Sequence, residues 1–248
     1  MTKDESINPL NFKTAAVLLC AGSGSRMRGC VQDKVLYPVN GVPALAYSLR
    51  AFRRDDIADC LVVVVRDQAQ RAQIAKLFSE EDLPPKRCFF VQGGNERQDS
   101  VCNALAALPA GIECVFIHDC ARPLIQPAQL KQLKEAALRD GAAVLAHRVV
   151  DTIKRVDDPA ALECRALEDL DRSTLWAMET PQVFRRDLIA ASYAKIKAQN
   201  IRVTDDTAAV AAQGHRVTIV ENPFPNPKIT LPQDIELIEW LIKHNPAN

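Results

Sequence analysis

Five runs of almost uninterrupted apolar residues, Ala15–Cys20, Leu61–Val65, Cys88–Val91, Cys114–His118 and Ala142–Ala146, set the terms on which this chain can fold. A strand that is apolar on both faces must be covered on both faces, which is the condition of a parallel sheet between two layers of helices. Helix-length stretches separate the runs, near Ala44–Arg53, Gln68–Glu80, Ser100–Leu108 and Pro127–Asp140. Further along, the pattern predicts helices near Arg185–Ala198, Asp205–Gln213 and Pro232–Lys243, and a strand over Arg216–Val220. The expected fold is therefore α/β, a Rossmann-like, mostly parallel sheet with helices on both faces, and ligands of such sheets bind beyond the carboxyl ends of the strands. That edge collects the turn after the first strand, Arg66-Asp67, Gly93-Gly94 and Asp119.

The pattern changes from Val149 to Pro181. Short alternating pieces, Asp151–Val156 and Thr174–Met178, flank an acidic, irregular segment, Asp157–Arg172. Such a segment cannot bury a core of its own. We read 1–248 as one domain and 150–180 within it as a projecting β-arm of the kind that packs on a partner.

Charge and cysteine usage narrow the partners. The chain has 31 basic and 31 acidic residues, so no large basic field points to nucleic acid. No apolar stretch approaches the ~20 residues that span a bilayer. Met1–Lys13 carries Asp4 and Glu5 and lacks an apolar centre, so it reads as a short disordered lead-in and not as a signal or transit peptide. The eight cysteines form no C-x-x-C pair, and several stand inside apolar runs, which suits reduced thiols in a cytoplasmic protein. The four histidines lack metal-ligand spacing.

After the first strand comes Ala21-Gly22-Ser23-Gly24-Ser25-Arg26-Met27-Arg28, with Lys34 shortly beyond. Glycine-freed backbone N–H groups make a concave anion site, and Arg and Lys add full positive charge, a combination that suits a triphosphate. A dinucleotide fingerprint needs a third glycine where Met27 stands and an acidic residue roughly 20 positions on, and both are missing. A P-loop needs Lys and Ser/Thr where Cys30 and Val31 stand. Two further segments lie at the same edge. Gly93-Gly94-Asn95-Glu96-Arg97-Gln98-Asp99-Ser100-Val101 is a glycine turn entering a helix, and Ser100 offers a hydroxyl. His118-Asp119-Cys120-Ala121-Arg122-Pro123 puts a carboxylate and a guanidinium at a strand end, where the plainer reading is a local ion pair closing a loop.

Together with Asp151-Thr152-Ile153-Lys154, Thr180-Pro181-Gln182-Val183-Phe184, Thr204-Asp205-Asp206 and Lys228-Ile229-Thr230, these motifs occur in an order that resembles the 2-C-methyl-D-erythritol 4-phosphate cytidylyltransferase family, from about Lys13 to Lys243. The resemblance implies a nucleotidyltransferase-type fold and transfer of CMP from CTP to 2-C-methyl-D-erythritol 4-phosphate with release of pyrophosphate, and Mg²⁺ as cofactor bridging the CTP phosphates. It implies that Arg26 and Lys34 grip the triphosphate and Lys228 faces the reacting phosphates. It implies that Ala21, Gly22, Gly24, Gly94, Asn95, Ser100 and Cys120 hold CTP, and that Asp119 contacts the acceptor and helps place the metal. Arg122, Thr180 and Thr204 would line the acceptor pocket, and Thr152 and Arg172 would reach the acceptor phosphate of the other subunit in a homodimer with exchanged arms.

The chain departs from the family pattern at four places. Asp33 stands where proline is usual, Cys120 where alanine is usual and Ala211 where glutamate is usual, and Pro225-Asn226-Pro227-Lys228 replaces a stretch normally free of paired prolines. Two other readings share the scaffold: cytidylyl transfer to ribitol 5-phosphate, and a nucleotide-binding dimer without turnover. Intact Arg26, Lys34, Asp119, Arg172 and Lys228 argue against the second.

Overall fold

A computed structural model describes residues 13–22, 24, 33–53, 57–80, 87–157, 160 and 163–244. The first strand, β1 (Thr14–Leu19), leads through a two-stranded ribbon, β2 (Pro38–Val39) and β3 (Val42–Pro43), into α1 (Ala44–Arg53). Asn40 and Gly41 connect the ribbon with φ of 48° and 79°, the doubly left-handed pair that a tight hairpin requires. Alternation then follows: β4 (Cys60–Val65), α2 (Gln68–Glu80), β5 (Cys88–Gln92), α3 (Arg97–Ala106), β6 (Cys114–Asp119), α4 (Pro127–Asp140) and β7 (Ala142–Arg148). After β7 the chain makes a hairpin, β8 (Lys154–Val156) with β9 (Leu167–Asp169), and returns as β10 (Trp176–Arg185). Helices α5 (Arg186–Ala198) and α6 (Asp206–Ala211), strand β11 (Thr218–Glu221) and helix α7 (Pro232–His244) complete it.

The main sheet has seven strands in the order β11-β7-β10-β6-β1-β4-β5. All run parallel except β10, which is antiparallel to both β6 and β7. Side chains alternate between the two faces. Ala16, Leu18, Val63 and Phe116 meet Leu49, Phe52, Ile74 and Leu130 from α1, α2 and α4. Ala15, Val17, Val62, Val64 and Ile117 meet Val101, Ile189, Tyr193 and Val210 from α3, α5 and α6. Phe52 and Phe116 pack edge to face, with centroids 5.5 Å apart. Helix α4 starts with Pro127, whose missing N–H costs nothing in a first turn, and ends at Gly141 with φ of 94°, where a side chain would strain the backbone.

The helices expected near Ala44–Arg53, Gln68–Glu80 and Pro127–Asp140 form over those residues. The largest difference lies in the arm. Trp176–Arg185 belongs to the main sheet, so the segment that leaves it spans 149–175. Strand β8 begins at Lys154, and Asp151–Ile153 precede it without strand pairing. Among the described residues no helix is long and apolar enough to cross a membrane.

Candidate active site

The carboxyl ends of β1, β4 and β6 and the amino end of α3 surround a cavity of about 490 Å³. Its wall includes Ala21 and Gly22 after β1, Arg66 after β4, Gly94 to Arg97 and Ser100 at α3, Asp119 and Ala121 at β6, and Lys34 and Lys228 from two separate loops. A volume of several hundred cubic ångströms is the size of a small-molecule site. Arg26 lies outside the described residues. Gly24 takes the left-handed backbone, with φ of 63°.

Two glycines of the α3 entry are required by close approach. A Cβ on Gly93 would stand 2.7 Å from Ala21 Cβ, and one on Gly94 would stand 2.2 Å from Asp99 Cβ. The tightness comes from the helix start folding back on the turn. Gly94 N–H donates to Ser100 Oγ at 3.0 Å and Glu96 N–H donates to Asp99 Oδ2 at 3.0 Å. Ser100 thereby holds the turn that it shares with the pocket. Gly22 has no such crowding, its nearest neighbour being Lys34 Cε at 3.8 Å, so the space above it remains open to a ligand.

Asp33 supplies a tether where a proline is usual. Its Oδ2 accepts from Gln70 Nε2 at 2.6 Å and Arg66 Nη2 at 3.3 Å, and Oδ1 accepts from Val35 N–H at 3.2 Å. Gln70, itself buried, also donates to Cys20 O at 2.9 Å, which ties the exit of β1 to the approach of Lys34. The backbone carbonyl of Ile229 accepts from Lys34 Nζ at 3.4 Å.

Asp119 is the electrostatic centre. Arg97 Nε donates to its Oδ1 at 3.2 Å, and Lys228 Nζ is bonded to its Oδ2. Burial would raise its pKa, but the charges of Arg97 and Lys228 outweigh it and hold the carboxyl well below the usual range. Arg97 is the first residue of α3, a poor place for a cation beside the helix dipole. Asp206 compensates: its carboxylate accepts from Arg97 Nη1 at 3.1 Å and Nη2 at 2.7 Å, and also from Tyr193 Oη at 2.6 Å. Asp206 is fully buried, so this fork fixes Arg97 firmly, whereas Lys228 stands on a loop. Arg66 and Arg97 line the cavity although the motifs single out neither for a role. Their signal was position alone, one at the end of an apolar run and one three residues past a glycine pair.

Beneath Asp119 lies a polar chain inside the sheet. Asp119 N–H donates to Thr180 Oγ1 at 3.1 Å, Thr180 Oγ1 lies 3.2 Å from His118 Nδ1, and His118 Nε2 lies 3.2 Å from Ser48 Oγ. The Thr180 hydroxyl, which can donate once and accept twice, joins the Asp119 amide to the imidazole, and the ring carries the link on to Ser48. Burial pushes the His118 pKa down to about 3, so the ring is neutral and serves as a bridge.

Several expected site residues stand elsewhere. Thr180 is buried and its hydroxyl is engaged by Asp119 and His118, so it supports the pocket from below. Cys120 is fully buried in the core under α1, with only its neighbours Asp119 and Ala121 in the wall; β6 ends at Asp119 in a turn closed by Arg122 N–H donating to Asp119 O at 2.9 Å, and that turn carries the Cys120 side chain inward. Arg122 is not in the wall; its Nη1 donates to the carbonyl of Asn226. Thr204 is exposed, next to the α6 cap residue Asp205, and does not line the cavity. Thr152 and Arg172 are exposed at the root of the hairpin, where Arg172 Nη1 donates to Val150 O at 2.7 Å. Arg172 lines a separate cavity of about 440 Å³ with Arg148, Val149, Asp171 and Ser173.

Among the described residues no group of three or more His, Cys, Asp or Glu side chains gathers as a metal cage. Asp119 and Glu96 are the carboxylates in the wall, Glu96 paired with Arg202 at 2.9 Å and Asp119 facing Lys228 and Arg97 at the strand end, and a magnesium ion is commonly held by one carboxylate together with substrate phosphates and water. The donor set therefore suits a cation carried in by a polyphosphate, and not one held by protein alone.

Comparison with known proteins gives a consistent picture. The family model for 2-C-methyl-D-erythritol 4-phosphate cytidylyltransferase matches residues 14–244. A relative of that name from Geobacillus thermodenitrificans is 38% identical over 227 residues, covering 92% of this chain and 96% of its own length. A chloroplastic relative from Oryza sativa subsp. japonica is 37% identical over 229 residues, covering 92% of this chain and 74% of its own. Among solved structures, the 4-diphosphocytidyl-2C-methyl-D-erythritol synthase of Anaerococcus prevotii superposes with a TM-score of 0.80 at 26% identity, covering 94% of this chain and 96% of the other. The Thermus thermophilus cytidylyltransferase superposes with a TM-score of 0.71 at 30% identity, covering 92% and 98%.

Proposed function

This chain belongs to the 2-C-methyl-D-erythritol 4-phosphate cytidylyltransferase family, and on that premise we propose how its pocket carries the reaction. The reaction is transfer of CMP from CTP to 2-C-methyl-D-erythritol 4-phosphate. A phosphate oxygen of the acceptor attacks the α-phosphorus of CTP, the bond to the β-phosphate oxygen breaks, and pyrophosphate leaves. The acceptor phosphate, with a second pKa of about 6, is already ionised at neutral pH, so no general base is required. The barrier is repulsion between anions and charge growth at the α-phosphate, which makes catalysis a matter of position and positive field.

What carries this reading is the meeting in one cavity of Lys34, Lys228, Arg66 and Arg97 with the uncrowded backbone at Gly22 and the lining residues Ala21 and Gly94. Lys34 takes the triphosphate, together with Arg26 from outside the described residues. Lys228 exchanges Asp119 for the reacting phosphates when they arrive, and Arg97, gripped by Asp206, keeps Asp119 in place during the exchange. Asn95, Gly94 and Ser100 hold the base end of CTP. Asp119 would be the protein contact for a Mg²⁺ ion arriving with the CTP phosphates, and that ion would supply charge neutralisation.

The acceptor end is completed by a second copy of the chain. The hairpin carrying Thr152 and Arg172 pairs only with itself among the described strands, and Val150 and Leu167 on it are 78% and 62% exposed. Apolar residues so displayed on a two-stranded ribbon suit a partner surface. Release of pyrophosphate, followed with CTP and Mg²⁺ and with methylerythritol phosphate or ribitol 5-phosphate as acceptor, tests the reading. Release with the first acceptor is expected; release with ribitol 5-phosphate alone overturns the choice of acceptor.

A further inference from the structure

Glu179 does not touch the cavity, and the three side chains it binds, His147, Asn222 and Asn226, stand outside the cavity wall. A register shift between Met178 and Gln182 interrupts the β10–β7 pairing at this point, and bulged strand positions of this kind re-aim side chains beside active sites. Glu179 is 3% exposed and both of its oxygens are occupied. His147 Nδ1 lies 2.6 Å from Oε1, while Asn222 Nδ2 and Asn226 Nδ2 donate to Oε2 at 2.8 and 2.7 Å. The two asparagines bracket the segment Asn222-Pro223-Phe224-Pro225-Asn226-Pro227-Lys228. They are its buried side chains, and both end on the same carboxylate oxygen.

The alternating prolines make this tether decisive. Pro223, Pro225 and Pro227 have fixed φ and no N–H, so the segment cannot be held by a ladder of backbone bonds. Asn226 instead donates its amide to Glu179 and to Thr180 O at 3.2 Å, and its own carbonyl accepts from Arg122. Two residues later Lys228 reaches Asp119, and Ile229 N–H then donates to Ala121 O at 2.8 Å as its side chain enters the core. Lys228 is thus strung between one anchor at Asn226 and another at Ile229. Only the first depends on a buried charge.

We propose that Glu179, acting through Asn226, is a positioning residue for the reaction: it sets the reach of Lys228 toward the phosphates. This rests on the reading of Lys228 as the group that faces the reacting phosphates. Asn226→Asp keeps the shape and places a second carboxylate against Glu179, which displaces the segment. Turnover should fall about tenfold or more, with KM for CTP changed less than about threefold, as for a contact made chiefly in the transition state. Glu179→Gln takes the anion away from both asparagine amides and should lower turnover in the same pattern, with little change in KM for CTP.

The deciding measurement is a double-mutant cycle with Lys228→Ala, read as pyrophosphate release by the full-length protein with CTP and methylerythritol phosphate. If Asn226 acts through Lys228, Asn226→Asp costs less than about twofold once Lys228 is gone, since coupled residues are not additive. The same loss factor with and without Lys228 overturns the proposal. Parent-like turnover of Lys228→Ala by itself overturns instead the assignment of Lys228, and so separates the two failures. Asn226→Ala, which removes the tether without adding charge, passes through the same cycle should the Asp variant not fold.

Discussion

Two threonine-bearing segments of similar length have opposite fates. Glu179-Thr180-Pro181-Gln182 is drawn into the centre of the sheet, and each of its polar side chains is satisfied: Glu179 by His147 and two asparagines, Thr180 by Asp119 and His118, and Gln182 by Asp205 and Asp206. Asp151-Thr152-Ile153-Lys154 leads into a hairpin that leaves the sheet, and its residues are exposed. The hairpin's ion pairs, Lys154 with Asp169 and Arg155 with Glu168, cross only its own two strands and are open to solvent. Such pairs hold little, and a lone two-stranded ribbon is marginal. The contrast teaches that half of this site is built into the fold, with its polar groups fixed before any ligand arrives. The hairpin, proposed above to complete the acceptor end, has no such buried network among its described residues.

Four experiments sharpen or break that division. On the built side, Lys34→Ala should lower turnover by a factor on the order of 10² or more, because an electrostatic contact to the phosphates is lost. Turnover near the parent level in a pyrophosphate assay would remove Lys34 from the triphosphate site. On the supplied side, Arg172→Ala should raise KM for the acceptor about tenfold while leaving CTP binding intact, the pattern of a lost substrate contact. Mixed dimers of Arg172→Ala with Lys34→Ala subunits should regain one working site per dimer, and verified mixed dimers without activity would place the arm in its own pocket.

Leu167→Asp tests the hairpin more gently. It should shift sedimentation from dimer to monomer while changing unfolding free energy by no more than about 0.5 kcal/mol, as expected for a surface site. Unchanged sedimentation would take the hairpin out of the dimer contact. The last experiment concerns His118. Its folded pKa of about 3 lies below its ordinary 6.5, so the unfolded chain takes up a proton that the folded one refuses. The stability it confers is complete above pH 6.5 and declines as pH falls toward 3, by at most about 1.4 kcal/mol per unit. His118→Gln should flatten that part of the stability curve in denaturant titrations, and an unaltered slope would show that the ring is not held neutral.

Much of the built half was legible beforehand, because strands such as Leu61–Val65 and helices such as Pro127–Asp140 announce themselves over a few neighbouring residues. The glycine pair at Gly93-Gly94 was legible for the same reason, since close approach needs glycine whatever the partner. Strand β10 was not. Its interior carries Glu179, Thr180 and Pro181, residues that argue against a central strand. It becomes one because Thr180 and Gln182 find buried partners on β6 and on the cap of α6, a fact no local pattern carries. Arg122 and Cys120 share a motif with the pocket residue Asp119, yet the turn that closes after β6 points both of them away from the cavity, a fact that motif spacing does not carry.

The sequence by itself determined the α/β class, the order of the parallel strands' building blocks, the cationic and glycine-rich edge and the family, because each depends on composition and spacing along a short stretch. The tertiary structure alone decided which charges meet. Asp119 is joined to Lys228 across 109 positions, Arg97 to Asp206 across another 109, and Glu179 to Asn226 across 47. Such pairings arise only when strands distant in the chain come to lie side by side, and burial then requires each polar group to find its partner there.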